Sequence, residues 1–156
     1  MTAFYFAYGS NMNPARMAAR GLVWHEQQPA VLPRHGLRFN KRASDRPCCA
    51  YANVVHAPAE SVEGVLYRLQ DSAEISKLDE FEGAPRLYSR EVFLLQAAGR
   101  VIPAWVYIAN PAVIAADLLP EAWYMQHLLA GRDYLSAPYY QRLQVQAAHP
   151  VHEAPW

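Results

Sequence analysis

Apolar residues come in short runs along this chain, each closed by glycine, proline or a polar cluster, and the period of each run predicts its element. Residues 4–8 hold four aromatic side chains in five positions and read as a buried or half-buried strand, stopped by the turn-forming Gly9-Ser10-Asn11. Asn13 then has the place of an N-cap and Pro14 that of a first helical residue, predicting a short helix over 15–19. Residues 30–32 and 34–41, bounded by Pro29, Pro33 and Gly36, predict short strands, and residues 41–47 an exposed polar loop with solvated charges. Residues 48–56 and 62–69 predict a hairpin turning at Ala57-Pro58-Ala59-Glu60, with Gly64 marking a bulge or a close approach to the backbone. Asp71-Ser72-Ala73-Glu74 has the spacing of a capping box, so a helix runs through Ile75, Leu78 and Phe81 until Gly83 and Pro85 stop it. Residues 87–95 and 100–109 predict a second hairpin around Ala97-Ala98-Gly99. From Pro120 the spacing of Trp123, His127, Leu128 and Ala130 turns helical, and residues 139–146 predict another short helix. Mainly antiparallel strands with helices outside them make an α+β fold, with a closed or half-closed barrel as the expected form.

Composition narrows the partner. A chain of 156 residues is expected to form one domain over 1–156 with a core of its own. Lys plus Arg equals Asp plus Glu at 14 each, so no net field recruits nucleic acid, an acidic membrane or a highly charged substrate, and a small molecule is the expected partner of a monomer or homodimer. The neighbouring Cys48 and Cys49 are too few and too close for a disulfide framework or a zinc site, and read as small buried hydrophobes in a reducing compartment. The six histidines have no ligand spacing, so no metal is expected, and His127 reads as packed along a helix face or on the surface. Without a basic-then-apolar leader or an apolar run long enough for a bilayer, the expected location is the cytoplasm.

Two stretches carry candidate chemistry. A strand end, a glycine and a nearby helix N-terminus at residues 8–15 can form a small anion-binding nest suited to a carboxylate, although the same residues also fit an ordinary strand ended by an ordinary turn. In Leu78-Asp79-Glu80-Phe81-Glu82-Gly83, about 100° per residue places Glu82 within roughly 20° of Ile75, facing inward, while Glu80 points to solvent. Burial and the negative end of the helix dipole both raise a carboxylate's pKa, and Asp79, about 60° away, adds like-charge repulsion, so Glu82 becomes a candidate general base. The spacing equally fits a partly exposed acid at a helix end. Tyr8 and Trp105 read as either core or ligand contacts.

Tyr8-Gly9-Ser10-Asn11-Met12, the helix end at 78–83 and Tyr88-Ser89-Arg90, in this order and separation, resemble the gamma-glutamylcyclotransferase or AIG2-like family, and the similarity continues through residues 62–67 and 124–131. The resemblance implies a small mixed, mainly antiparallel β-barrel with a few flanking helices and a cavity for an acyl substrate. It makes Glu82 the catalytic acid and base, Gly9, Ser10 and Asn11 with Tyr8 the substrate-binding loop, and Tyr88 and Tyr124 tyrosines of the cavity. The implied reaction cyclises the gamma-glutamyl group of a small amide or peptide to 5-oxoproline, releasing an amine or amino acid, with no cofactor. Cys48-Cys49-Ala50 stands where some relatives carry glycines, implying a bulkier cavity wall. Two rivals share the fold: an enzyme for a gamma-glutamylamine or a biosynthetic gamma-glutamyl acyl intermediate, and a non-catalytic module binding a small carboxylate.

Overall fold

Alternating apolar residues feed five strands into a closed barrel, ordered β1-β3-β2-β4-β5, in a computed structural model that describes residues 3–150. The strands are β1 (Ala3–Ala7), β2 (Trp24–Arg42), β3 (Ala50–Leu69), β4 (Tyr88–Ala97) and β5 (Arg100–Ala109). β1 runs antiparallel to β3 and parallel to β5, where Tyr5 meets Trp105 and closes the barrel, and the β2–β3, β2–β4 and β4–β5 pairs are antiparallel. The mixed, mainly antiparallel barrel is therefore as expected. Phe6, Leu32, Val62, Val65, Leu66, Tyr67 and Leu95 fill its interior with no more than 2% of their surface exposed. Around it lie α1 (Pro14–Ala19), α2 (Glu74–Glu82), α3 (Ala122–Leu129) and α4 (Ala137–Gln144). No helix among the described residues is long and apolar enough to cross a membrane.

Where turn chemistry was strong, the elements follow it. The Asn13 side chain accepts a hydrogen bond from the Ala15 amide and Pro14 opens α1. Gly83 ends α2 in the left-handed conformation at φ 63°. Ala98 and Gly99, at φ 50° and 71°, form the two-residue turn joining β4 to β5.

The short strands expected on either side of Pro33, and the hairpin expected at 57–60, are instead two continuous strands, β2 and β3. Their register jumps from Pro33–Ser61 to His35–His56, so Ala57, Pro58, Ala59 and Glu60 stand opposite Arg34 alone as an irregularity within the ladder. The prolines are tolerated because β2 meets β4 only at Val31–Gln96, leaving most of its second edge without a ladder to interrupt. The hairpin between β2 and β3 turns at 43–49. The capping box also fails to close: Asp71 accepts from the Ala73 amide, but the Glu74 carboxylate accepts from the Val23 amide at 3.1 Å and pairs with Lys77. Val23 precedes β2, and its amide competes successfully for the acid intended for the cap.

Gly64 answers to close packing. A Cβ there would stand 2.2 Å from the Ala7 carbonyl oxygen and 2.9 Å from the Phe6 ring, so β1 and β3 approach closely because this position has no side chain.

Candidate active site

At one end of the barrel, β1 and β2 finish, β3 and β4 begin, and the last turn of α2 comes over the rim. A cavity of about 260 Å³ opens there. It is lined by Tyr8, Gly9, Ser10 and Asn11, by Glu82, Tyr88 and Tyr124, and by three cations, Arg16, Arg20 and Lys41. The seven residues singled out in the sequence thus meet in one place.

The loop after β1 makes one tight turn, with the Met12 amide donating to the Gly9 carbonyl and the Asn13 amide to that of Ser10. The amides of Gly9, Ser10 and Asn11 have no acceptor among the described residues, as the first N–H groups of any helical turn lack internal partners. Side chains fix the turn from below: Asn11 donates to the Tyr5 hydroxyl and accepts from Arg20, the Asn11 carbonyl accepts from the Tyr67 hydroxyl, and Arg16 donates to Ser10 Oγ. A Cβ on Gly9 would lie 2.9 Å from the Tyr124 hydroxyl and 3.4 Å from the Ala52 Cβ, so the glycine seats the loop against α3 and β3.

The tyrosines are held as walls. Tyr88 donates to the Ala52 carbonyl at 2.9 Å, the Ala52 amide donates to the Tyr124 hydroxyl at 3.0 Å, and Tyr8 donates to the Tyr107 carbonyl at 2.5 Å. Burial pushes the pKa of each above the ordinary phenol range. Trp105 lies outside the cavity lining and stacks against the Arg90 guanidinium.

Of the two acids that line the cavity, Asp45 is exposed and Glu82 is the one drawn back from solvent. It is part-exposed, facing the cavity, and its carboxylate has no hydrogen bond or ion pair among the described residues. Burial raises its pKa, against the opposing pull of Arg20, Arg16 and Lys41, and Asp79 adds a smaller push upward. Asp79 itself accepts from Tyr107 at 2.7 Å and pairs with Arg90, Asp45 is exposed at the mouth, and Glu80 is exposed on the outer face of α2. A lone carboxylate of raised pKa, opposite three open amides, can exchange protons with a bound molecule whose anionic oxygen the loop holds.

Several residues of the site were not picked out in the sequence. Arg16 lies on α1 and Arg20 is the residue that caps its end, and their i, i+4 spacing behind the Gly-Ser-Asn loop was the available signal. Lys41 was read both as the end of the strand 34–41 and as the start of a solvated loop; it belongs to β2, and at 3% exposed it is not solvated. The register shift between Phe39 and Lys41 inserts Asn40 as an extra residue, and such a bulge redirects the side chains that follow it.

The cysteines also require correction. Cys49 is buried but Cys48 is exposed, and both line a separate surface groove with Arg46, Glu121, His149 and Pro150 instead of the cavity wall. Ligand atoms of Cys48, Cys49 and His149 lie within 4.8 Å of one another, a proximity across the chain that linear spacing could not reveal. His127 is buried in α3 against Asn13 and Arg16, and desolvation, helped by the positive charges of Arg16 and Arg20, brings its pKa down to about 4.

The barrel, its open end and its four α-helices define the gamma-glutamylcyclotransferase fold. Residues 5–126 match the sequence model of the family described as gamma-glutamyl cyclotransferase, AIG2-like, and the chain belongs to that family. YkqA of Bacillus subtilis (strain 168) is 37% identical over 101 residues, which are 62% of this chain and 35% of that protein, so the chain spans about a third of this curated relative. The crystal structure of YkqA superposes with a TM-score of 0.81 at 26% identity, covering 92% of this chain and 53% of that one. A solved gamma-glutamyl cyclotransferase gives a TM-score of 0.81 at 20% identity, with 96% and 90% of the two chains covered. The human protein loc79017 gives 0.84 at 20%, with 98% and 92% covered. At 20% identity these last two speak for the fold.

Proposed function

We propose that the protein is a gamma-glutamyl cyclotransferase that converts a small gamma-glutamyl amide or peptide to 5-oxoproline and a free amine or amino acid. The observation that carries this reading is Glu82, a carboxylate without a partner among the described residues, facing a cavity in which the hydroxyls of Tyr8, Tyr88 and Tyr124 are committed to backbone groups.

The substrate's own α-amine attacks its δ-carbonyl. A new C–N bond closes the five-membered ring as the bond to the leaving amine breaks, and one proton passes from the attacking nitrogen to the departing one. Glu82 accepts that proton and returns it, which a carboxylate of raised pKa does more readily than an ordinary one. The free amides of Gly9, Ser10 and Asn11 and the guanidinium groups of Arg16 and Arg20 stabilise negative charge on the substrate. Because the nucleophile is tethered, the site has to fold the glutamyl chain into a reactive shape and move one proton. Tyr88 and Tyr124, both locked to Ala52, supply the rigid wall for that folding.

Incubation with a gamma-glutamyl dipeptide and analysis of the products tests the reading. It predicts 5-oxoproline and the free amino acid in equal amounts. Binding without consumption would instead make the protein a carboxylate-binding module of the same fold.

A further inference from the structure

Lys41 is the cation of the cavity lining that has no hydrogen-bond or ion-pair partner among the described residues. It is 3% exposed, and its ammonium has no hydrogen-bond acceptor and no carboxylate within 4.0 Å among the described residues. Its surroundings are two aromatic faces, with Nζ 5.3 Å from the Tyr51 ring centre and 5.8 Å from that of Tyr88. Cation–π contacts of that length soften the burial of an ammonium but do not replace a counter-ion. Its pKa is accordingly lowered by desolvation, with Glu82 and Asp45 opposing from a distance.

The other cations of the cavity sit elsewhere. Arg16 on α1 and Arg20 at its end are tied to Ser10 and Asn11 of the loop, whereas Lys41 comes from the end of β2 beside Tyr51 and Tyr88. Positive charge therefore reaches Glu82 from two separate elements. A gamma-glutamyl group brings one carboxylate, which the loop and the α1 arginines can receive. A second cation, unpaired and lining the cavity, is placed to receive a second carboxylate on the substrate. A gamma-glutamylamine has none on its leaving half; a gamma-glutamyl amino acid has one. The cavity, at about 260 Å³, lies below the usual range of about 300–1,000 Å³ for drug-sized ligands and suits a short leaving group.

We infer that Lys41 anchors a carboxylate on the leaving half of the substrate, so that the site takes short gamma-glutamyl amino acids in preference to gamma-glutamylamines. This rests on the cyclotransferase reading for the glutamyl half, but the carboxylate site itself can be tested apart from turnover.

The experiment compares gamma-glutamyl-alanine with gamma-glutamyl-alaninamide, which differ only in the carboxylate. Wild-type protein is expected to favour the acid by about 30-fold or more in kcat/KM, chiefly through KM, as loss of a charge-assisted contact implies. Lys41→Met is expected to bring that ratio within about 3-fold. Calorimetric Kd values for both compounds, taken on wild-type protein and on Glu82→Gln, read the same preference without chemistry. If neither compound yields 5-oxoproline yet the acid binds better and Lys41→Met abolishes the difference, the carboxylate site stands and the cyclotransferase reading falls. Equal binding and turnover of acid and amide by wild-type protein overturns the inference, as does a preference that survives Lys41→Met. Equal losses on both compounds overturn it too, since Lys41 would then serve the glutamyl half. Should Lys41→Met not fold, Lys41→Gln carries the same readout, and the wild-type acid-to-amide ratio decides alone if neither folds.

Discussion

Glu82 ends α2 at the negative pole of the helix, inside a cavity, with no donor assigned to it, and each of those conditions favours its protonated form. The same arrangement gives a stability signature. Since burial sets its folded pKa above the unfolded value, the native state holds the proton more tightly, and stability falls as pH rises through the window between the two values. Glu82→Gln should therefore melt above wild type at pH 7, and the difference should vanish below the ordinary glutamate pKa, in paired thermal melts at about pH 7 and about pH 3.5. The same variant is expected to lose turnover by about 100-fold or more, while Glu80→Gln, on the exposed face, changes it little. Comparable activity in the two variants would mean that another group carries the proton. Gly9 is a different kind of site residue. A Cβ there meets the Tyr124 hydroxyl, so Gly9→Ala should lower kcat/KM by about 10-fold or more, and adding Tyr124→Phe should cost less than the sum of the two single effects. Strict additivity would remove Tyr124 from the cause. Helical spacing offered an inward Glu82 beside a partly exposed acid at a helix end, and the structure has it part-exposed and facing the cavity. The direction of Lys41 was not legible, because it depends on the Asn40 bulge, which arises from pairing with β3 and not from the local sequence.

At the scale of elements, what the chain disclosed by itself depended on whether local chemistry or a partner strand decided the outcome. Asn13 and Pro14 at the start of α1, and Gly83 at the end of α2, act within a few residues, so both boundaries could be read. Pro29, Pro33 and the Ala57-Pro58-Ala59-Glu60 cluster look like breaks, yet the long β2–β3 ladder carries both strands through them by shifting register. The Glu74 cap was lost to the Val23 amide, a partner 51 positions away. Gly83 links this scale to the site, because it fixes where α2 stops and hence where Glu82 points. At φ 63° with Leu87 packed 2.7 Å from where a Cβ would go, Gly83→Ala should cost about 1–2 kcal/mol of stability and lower kcat along with it. Chemical denaturation and steady-state kinetics check the pair. A loss of stability with kcat unchanged would uncouple the helix end from the proton carrier.

For the molecule as a whole, closure of the barrel is what brings residues from Tyr8 to Tyr124 around one cavity. It depends on β1 fitting between β3 and β5, and Gly64 lets β1 approach. Composition and pattern could announce an α+β barrel and, through its ordered motifs, the family to which residues 5–126 belong. They could not announce the three cations converging on Glu82, because Arg16, Arg20 and Lys41 come from two elements that only the closed barrel sets face to face. That convergence, with a tethered amine as nucleophile, is the core of the account. The most direct measurement follows the fate of the glutamyl half during turnover in heavy-oxygen water. Attack by the substrate's α-amine gives 5-oxoproline whose ring carbonyl keeps its original oxygen, and a substrate with that amine acylated is not turned over. Glutamate carrying heavy oxygen as the first product, or turnover of the acylated substrate, would contradict it.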